Sequence, residues 1–311
     1  MTSATNDAPT RAFFEEQDYF GIDPEDVFFF TQRMLPALDM DGRILLAAPD
    51  SLFLAPNGHG GTLDALARSG ALAHARERGV ERLSYFQVDS PVARPADPLF
   101  LGLHDRARAQ MSSKVVRKRS ADEKVGVLGL VDGNLGCIEY SDLPDDLREA
   151  TDPHGELLFQ AGNTACHVLD VSFVEQLTAQ GLTLPWHLAR KTMRVLAEDG
   201  NAQEREGVKF ETFIFDALRR TQRSVTLGVD RRTEFSPVKN AEGTDSPRSC
   251  RADLAQTFAE WVQAAGGELP APGPDGFPLV EIDPRVAECR QEFLARWPLQ
   301  AEDLGGGHLY S

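Results

Sequence analysis

The sequence predicts an α/β fold with helices covering a sheet, on three observations. Short apolar runs end in polar or turn residues, helical patterns alternate with them, and the apolar content is ample for a core. At 311 residues and 41% hydrophobic content the chain can bury a large interior. That length suits two domains or one large one.

Taken in order, strand-like runs occupy Val27 to Phe30, Ile44 to Leu46, and Arg82 to Val88, the last stopping at Asp89. Thr62 to Arg78 reads as one or two helices, interrupted at Gly70 and stopped by Gly79, a residue suited to a C-cap. Val125 to Val131 and Leu135 to Tyr140 flank Asp132-Gly133-Asn134, and Asp-Gly between apolar runs predicts a hairpin with positive backbone angles. Ser172 and Glu175 have capping-box spacing, so a helix is expected to start there.

In KFETFIFDALRR, Phe210, Phe213, Ile214, Ala217 and Leu218 recur at helical spacing, whereas Phe215 falls about 100° away and needs a second surface. Leu254, Phe258, Trp261, Val262 and Ala265 form another stripe, which Gly266 ends. Glu268 to Gly276 is rich in Pro and Gly, and the chain closes on GGGHLYS. The end is therefore expected to be loosely organised apart from a short helix around Val286 to Arg296.

The balance of 32 Lys and Arg against 48 Asp and Glu gives a net charge of -16, which repels a phosphate backbone and argues against general nucleic-acid binding. An anionic ligand would need a locally basic site. Basic residues do cluster at Lys114, Arg117, Lys118 and Arg119, and at Arg219, Arg220, Arg223, Arg231, Arg232 and Lys239, though such runs also read as solvated faces. The cysteines Cys137, Cys166, Cys250 and Cys289 have neither metal-ligand spacing nor a disulfide pattern, so reduced thiols are expected. With no basic-then-apolar leader and no run near the ~20 apolar residues of a membrane span, no membrane partner is expected and the cytoplasm is the expected address.

Several residues could carry chemistry. The APNGHGG segment, Ala55 to Gly61, sets three glycines before a helix, where bare backbone can approach an anion; a structural turn explains it equally well. It is neither a dinucleotide fingerprint nor a Walker loop. Asp89, closing an apolar strand, stands where ligands bind in open α/β sheets and could hold Mg²⁺ bridging phosphates, or could simply be a turn residue. Glu139 and Asn163 are polar in apolar surroundings and call for hydrogen-bond partners, such as sugar hydroxyls or an internal network. His167 could do the same, but reads first as a core or supporting histidine. Lys239, in the loop EFSPVKNAEGTDSPRS, could neutralise a phosphate. The histidines show no zinc-binding pattern, and no nucleophile elbow starts a hydrolase triad.

The order and wording of these segments resemble the eukaryotic UDP-N-acetylhexosamine pyrophosphorylases and their bacterial relatives in the UDP-sugar pyrophosphorylase family. The carriers run from Met1 to about Gly267: MTS with FFEEQDYFG, QRMLPAL, LAPNGHGGTLDAL, QVDSP with ADPLFLG, SSKVVRK with EKVGVLGLVDG and IEYSDL, LLFQAGNTACH, VKFETFIFD, and EFSPVKNAEGTDSPRS. The resemblance implies a glycosyltransferase-A-like (Rossmann-like) nucleotidyltransferase sandwich. Residues 1–240 would form the catalytic domain and residues 241–311 a small C-terminal helical and loop region.

By motif, Asp89 is similar to the family's Mg²⁺ ligand, Lys239 to its phosphate contact, and Gln32 and Gly58 to its uridine-site residues. Glu139 and Asn163 resemble the sugar-hydroxyl binders, and Phe213 and Phe215 the aromatic wall of the sugar pocket. The implied reaction joins UTP to a sugar 1-phosphate, with N-acetylglucosamine 1-phosphate the expected sugar. Glucose 1-phosphate, or a noncatalytic sugar-nucleotide-binding fragment or subunit, is the alternative.

The chain departs from the family's pattern twice. His59 stands where the eukaryotic enzymes have Asn beside the sugar. The family's Leu-x-Gly-Gly-x-Gly-Thr-Arg-Leu-Gly loop belongs upstream of the segment that opens this sequence, so the expectation is a chain lacking the first β-loop-α unit, with Met1 similar to an internal methionine and poor activity by itself.

Overall fold

The computed structural model describes residues 1–197, 199–303 and 306–311. A mixed six-stranded sheet is its centre. Thr226–Gly228, Met111–Arg117, Ala161–Asp170, Val127–Val131 and Asn134–Ile138 lie side by side in that order, and Arg82–Tyr85 also pairs with Ala161–Asp170. Arg82–Tyr85 and Met111–Arg117 are both antiparallel to Ala161–Asp170, and Thr226–Gly228 is parallel to Met111–Arg117. Those three strands therefore run the same way, and their carboxyl ends share one edge, where open α/β sheets bind ligands.

Met111 to Val116 are all buried, which makes this strand an interior one. On one face Met111 and Val115 join Leu63, Leu169, Phe173, Ile214, Phe215 and Leu218 in the main apolar core. Each fully buried side chain of this size contributes about 1.5–3 kcal/mol. Ser112, Lys114 and Val116 alternate onto the other face.

The expected helices at Thr62 to Arg78 are present as Gly61–Arg68 and Ala71–Glu77, with Gly70 and Gly79 at positive φ. The Asp-Gly hairpin forms between Val127–Val131 and Asn134–Ile138, with φ of 52° at Asp132 and 81° at Gly133. The long helix, Pro247–Ala264, begins at a Ser246–Ser249 capping box and is followed by Gly266 at φ 82°.

Other expectations are corrected. Val27 to Phe30 is not a strand; it is extended chain beside a single Thr2–Thr31 bridge. Of Ile44 to Leu46, only Leu46 belongs to a strand, Leu46–Ala48. Arg82–Tyr85 ends short of Val88, so Asp89 lies in a turn beyond the strand. The helix Val171–Thr178 starts at Asp170 without a side-chain cap, because Asp170 is engaged by His104 at 2.9 Å and Arg82 at 3.2 Å, while Glu175 pairs with Arg76.

The KFETFIFDALRR segment is not one helix. Its first part completes the strand Ala202–Glu211, drawn into a ten-residue register with His187–Leu196, and only Ile214–Arg220 turns, as a 3-10 helix. Phe215 finds its second surface in the main core.

The C-terminal part is better organised than its Pro and Gly content suggests. Val280–Ile282, His308–Tyr310 and Glu302–Asp303 form a small mixed sheet, and the short helix is Arg290–Arg296. Val262, Val280, Ile282, Phe293 and Tyr310 build a separate apolar cluster there, to which Trp261 and Trp297 add. Gly305, in the closing tail, lies outside the described residues. The cysteines are free thiols, three of them buried. No helix among the described residues is long and apolar enough to cross a membrane.

Candidate active site

The turn carrying Asp89 and the loop carrying Lys239 meet at the carboxyl edge of the sheet. The backbone N–H of Val238 donates to the carbonyl oxygen of Asp89 at 2.7 Å, and Lys239 N–H donates to Asp245 O at 2.7 Å. Lys239 is exposed and Asp89 half-buried. Among the described residues no hydrogen bond or ion pair within 4.0 Å engages either charged group.

Glu139 and Asn163 are brought together through Gly126. Asn163 N–H donates to Gly126 O at 2.8 Å, and a Cβ on Gly126 would lie 3.0 Å from Glu139 Oε2 and 3.0 Å from Cys137 Sγ. A side chain at Gly126 would therefore crowd the Glu139 carboxylate and oblige it to shift. Burial pushes the Glu139 carboxyl above its ordinary range, Asp142 adds to the rise, and the charge of Lys239 opposes it. Asn163 sits at the start of a bulge in Ala161–Asp170, where Ala165 takes φ 58° and donates its N–H to Asn163 Oδ1 at 3.0 Å.

The aromatic wall is larger than the sequence indicates. Phe213 stacks on His59 with centroids 5.1 Å apart, lies 4.3 Å from His187 and 5.0 Å from Phe215. His59 Nδ1 accepts from Ile214 N–H at 3.2 Å, so the neutral ring carries its proton on Nε2. Burial, with His187 nearby, lowers the His59 pKa to about 4. Tyr85 stacks on His167, and burial raises its hydroxyl to about 12. His167 is 1% exposed, bonds Ser113 Oγ through Nδ1 at 2.8 Å, and burial lowers it to about 3. It is a neutral supporting histidine, as the sequence reading favours.

Gly58 is held at φ 81°, and a Cβ would lie 2.4 Å from Thr212 O. The APNGHGG turn is thus pressed against the Thr212–Phe213 backbone, with Gly60 N–H donating to Thr212 O at 2.8 Å. Beside it, Asn57 N–H donates to Arg33 O at 3.1 Å, which brings Gln32 to the same end of the site. Gln32 Oε1 and Asn57 Oδ1 are buried acceptors without a donor among the described residues.

Sequence reasoning missed His187, Asp216 and Asp142. His187 Nε2 bonds Asp216 Oδ2 at 2.8 Å and its Nδ1 is 3.6 Å from Asp142, which pins the ring against Phe213. Burial raises the Asp216 carboxyl despite this partner. Only the carboxylate inside the apolar run FIFDAL signalled such a network in advance. The solvated reading of the basic run at Lys114 is corrected: strand alternation turns Lys114 and Lys118 inward, at 1% and 6% exposure.

For Mg²⁺, no group of three or more His, Cys, Asp or Glu side chains among the described residues could form an all-protein cage. Mg²⁺ does not need one, since it takes one or two carboxylates and fills its shell with water and phosphate oxygens. The uncommitted Asp89 carboxylate fits such a site.

The family model described as UTP–glucose-1-phosphate uridylyltransferase matches residues 1–256. The chain belongs to the UDPGP family. It is 36% identical over 307 residues to human UDP-N-acetylhexosamine pyrophosphorylase-like protein 1, covering 92% of this chain and 60% of that protein. It is 36% identical over 280 residues to a Schizosaccharomyces pombe protein named as a UDP-N-acetylglucosamine pyrophosphorylase, covering 86% and 59%. The chain thus spans about three fifths of the length of these UDPGP relatives. The crystal structure of the Trypanosoma brucei uridine diphosphate N-acetylglucosamine pyrophosphorylase superposes with a TM-score of 0.79 at 28% identity, over 96% of this chain and 65% of that one. The UDPGP architecture, an α/β Rossmann-like sandwich of the glycosyltransferase-A type with a small C-terminal sheet, is therefore the fold of this chain.

Proposed function

We propose that this chain carries the substrate face of a uridylyltransferase that joins UTP to a sugar 1-phosphate, with N-acetylglucosamine 1-phosphate as the preferred sugar. The observation that carries the reading is the meeting of Asp89 and Lys239 through the Val238–Asp89 hydrogen bond, with both charges left uncommitted. A sugar 1-phosphate oxygen attacks the α-phosphorus of UTP, the bond to the bridging oxygen breaks, and pyrophosphate leaves. No covalent enzyme intermediate is needed, and the protein contributes positioning and charge.

In this reading Asp89 holds Mg²⁺, which when bound offsets negative charge on the phosphates, and Lys239 does the same as a fixed point charge. Gln32 Oε1 suits the N3–H of uracil, a donor that cytosine lacks, and Gly58 lets backbone approach the base. Glu139 and Asn163 accept from and donate to sugar hydroxyls, while Phe213, Phe215 and His59 form the wall. His59 offers Nε2–H, a donor comparable to the side-chain amide expected at that position. The N-acetyl sugar is favoured by the names of the relatives described above, and glucose 1-phosphate, named by the family model, is the competitor. Residues 1–240 form the catalytic unit and 241–311 the C-terminal one, and the cytoplasm is the site of action.

The test is pyrophosphate release from UTP by the purified protein with a panel of sugar 1-phosphates and Mg²⁺. Release with N-acetylglucosamine 1-phosphate exceeding that with glucose 1-phosphate supports the reading. Calorimetric binding of UDP-sugar without any turnover would assign the chain as a noncatalytic binder instead.

A further inference from the structure

Lys114 is the fully buried lysine of Met111–Arg117, here called the central strand, and its Nζ engages one carboxylate from each of the two segments that lead to Asp89 and Lys239. Its Nζ donates to Asp97 Oδ2 at 2.7 Å and to Glu234 Oε2, and it lies 5.6 Å from the centre of the Phe100 ring. Asp97 ends the segment that begins at Asp89 and caps the helix Pro98–Ala107, accepting from Leu99 N–H at 3.0 Å. Glu234 ends the helix Arg231–Glu234, and the buried residues Phe235, Ser236 and Pro237 lead from it to Lys239. The Lys114 carbonyl also accepts from Thr164 Oγ1 at 2.9 Å, next to Asn163 in the bulge.

Two carboxylates share this one ammonium, and exposure of the side chains is only 1% for Lys114, 6% for Asp97 and 12% for Glu234. A buried trio of this kind is a poor way to gain stability, because desolvation consumes most of the attraction and apolar side chains of equal volume do as well. Its distinctive property is direction. A single Nζ with donors aimed at two carboxylates fixes where each carboxylate stands relative to the other. The two loops meet at the Val238–Asp89 bond.

We propose that Lys114 is a positioning residue that sets the spacing between Asp89 and Lys239 by tying Asp97 and Glu234 to the central strand. The proposal rests on the uridylyltransferase reading for its effect on turnover, but its geometric content stands apart from that reading. Lys114 touches no substrate.

Two variants test it in the whole chain. Lys114→Met combined with Asp97→Asn and Glu234→Gln removes the trio without stranding a charge, and Glu234→Met alone, which has no oxygen to accept from Nζ, releases only the Lys239 side while leaving a net-neutral Lys114–Asp97 pair. The expected result in both is native circular dichroism, kcat lowered about tenfold to a hundredfold with KM for the sugar 1-phosphate unchanged, and amide hydrogen exchange at Val238 at least about tenfold faster, with exchange along Met111–Arg117 preserved.

Wild-type kcat and unchanged Val238 protection in the folded variants would overturn the proposal. Failure of both variants to fold would overturn it as well, since Lys114 would then be a purely structural charge. If the wild-type protein releases no pyrophosphate, the uridylyltransferase reading fails, while Val238 exchange still decides whether Lys114 sets the spacing.

Discussion

The N–H of Val238 donates to the carbonyl oxygen of Asp89 at 2.7 Å, yet the carboxylate of Asp89 and the ammonium of the adjoining Lys239 form no ion pair within 4.0 Å among the described residues. Backbone brings the two segments together while the charges stay apart. A carboxylate and an ammonium in that arrangement can each engage a separate partner, which suits a metal-bound phosphate between them.

Asp89→Ala and Lys239→Ala are each expected to lower kcat about a hundredfold or more, the usual cost of removing a charge aimed at a developing anion. Neither side chain is engaged by the fold, so stability should move by no more than about 0.5 kcal/mol. Initial rates of pyrophosphate release, with urea denaturation as the control, check both. Near-normal turnover in the two variants would remove these residues from the proposed machinery.

Much of this site was legible in the sequence because short-range chemistry dictates it. Asp132-Gly133 requires positive φ and forms the hairpin that delivers Glu139; Gly70 and Gly79 punctuate the helices as their backbone freedom requires. What could not be read depends on contacts far apart in the chain. Phe210 follows a helical stripe, but pairing of Ala202–Glu211 with His187–Leu196 overrides the local period. Lys114 sits in a basic run that resembles a solvated face, and only the approach of Asp97 and Glu234 makes its burial tolerable. The His187–Asp216 pair joins a solitary histidine to a carboxylate in an apolar run, and neither announces the other.

Acid should destabilise the protein through its histidines. His59 and His167 have folded pKa values near 4 and 3, below the ordinary 6.5, so the unfolded chain takes up protons that the folded one refuses. Stability is then fully present above about pH 6.5 and is lost as pH falls toward 4, with a limiting slope of about 1.4 kcal/mol per pH unit for each ring. The raised carboxyls of Glu139 and Asp216 act with opposite sign. His59→Asn isolates one histidine. It should reduce the loss of stability between pH 6.5 and 4.5 by ~1–2 kcal/mol relative to wild type, measured from urea midpoints, and an unchanged pH profile would contradict a neutral, half-buried His59.

Gly58→Ala should be costly for two separable reasons. A residue with a Cβ resists φ 81°, at about 1 kcal/mol, and the added carbon would meet Thr212 O at 2.4 Å. Since Thr212 N–H is itself bonded to Asn57 O at 2.8 Å, the segment after the strand cannot retreat without breaking that contact. A total loss of about 2–3 kcal/mol is expected, read from chemical denaturation. Gly70→Ala is the comparison: it has positive φ but open space, and should cost only the conformational part.

Sugar binding should depend on pH through Glu139. Burial and Asp142 raise its carboxyl above the ordinary range, while Lys239 and His187 hold it down. As an ionised group it accepts from hydroxyls; once protonated it loses its charge and turns one acceptor site into a donor. KM for the sugar 1-phosphate should therefore rise as pH falls through the raised pKa, and Glu139→Gln should abolish the dependence while raising KM about tenfold, the cost of replacing a charge-assisted hydrogen bond. Gly126→Ala distinguishes position from protonation. Its Cβ would crowd Glu139 Oε2 at 3.0 Å, so the carboxylate shifts by a few tenths of an ångström but still ionises. KM should then be higher at every pH with its pH dependence retained, whereas a flat profile in Gly126→Ala, or an unchanged one in Glu139→Gln, would place the titrating group elsewhere.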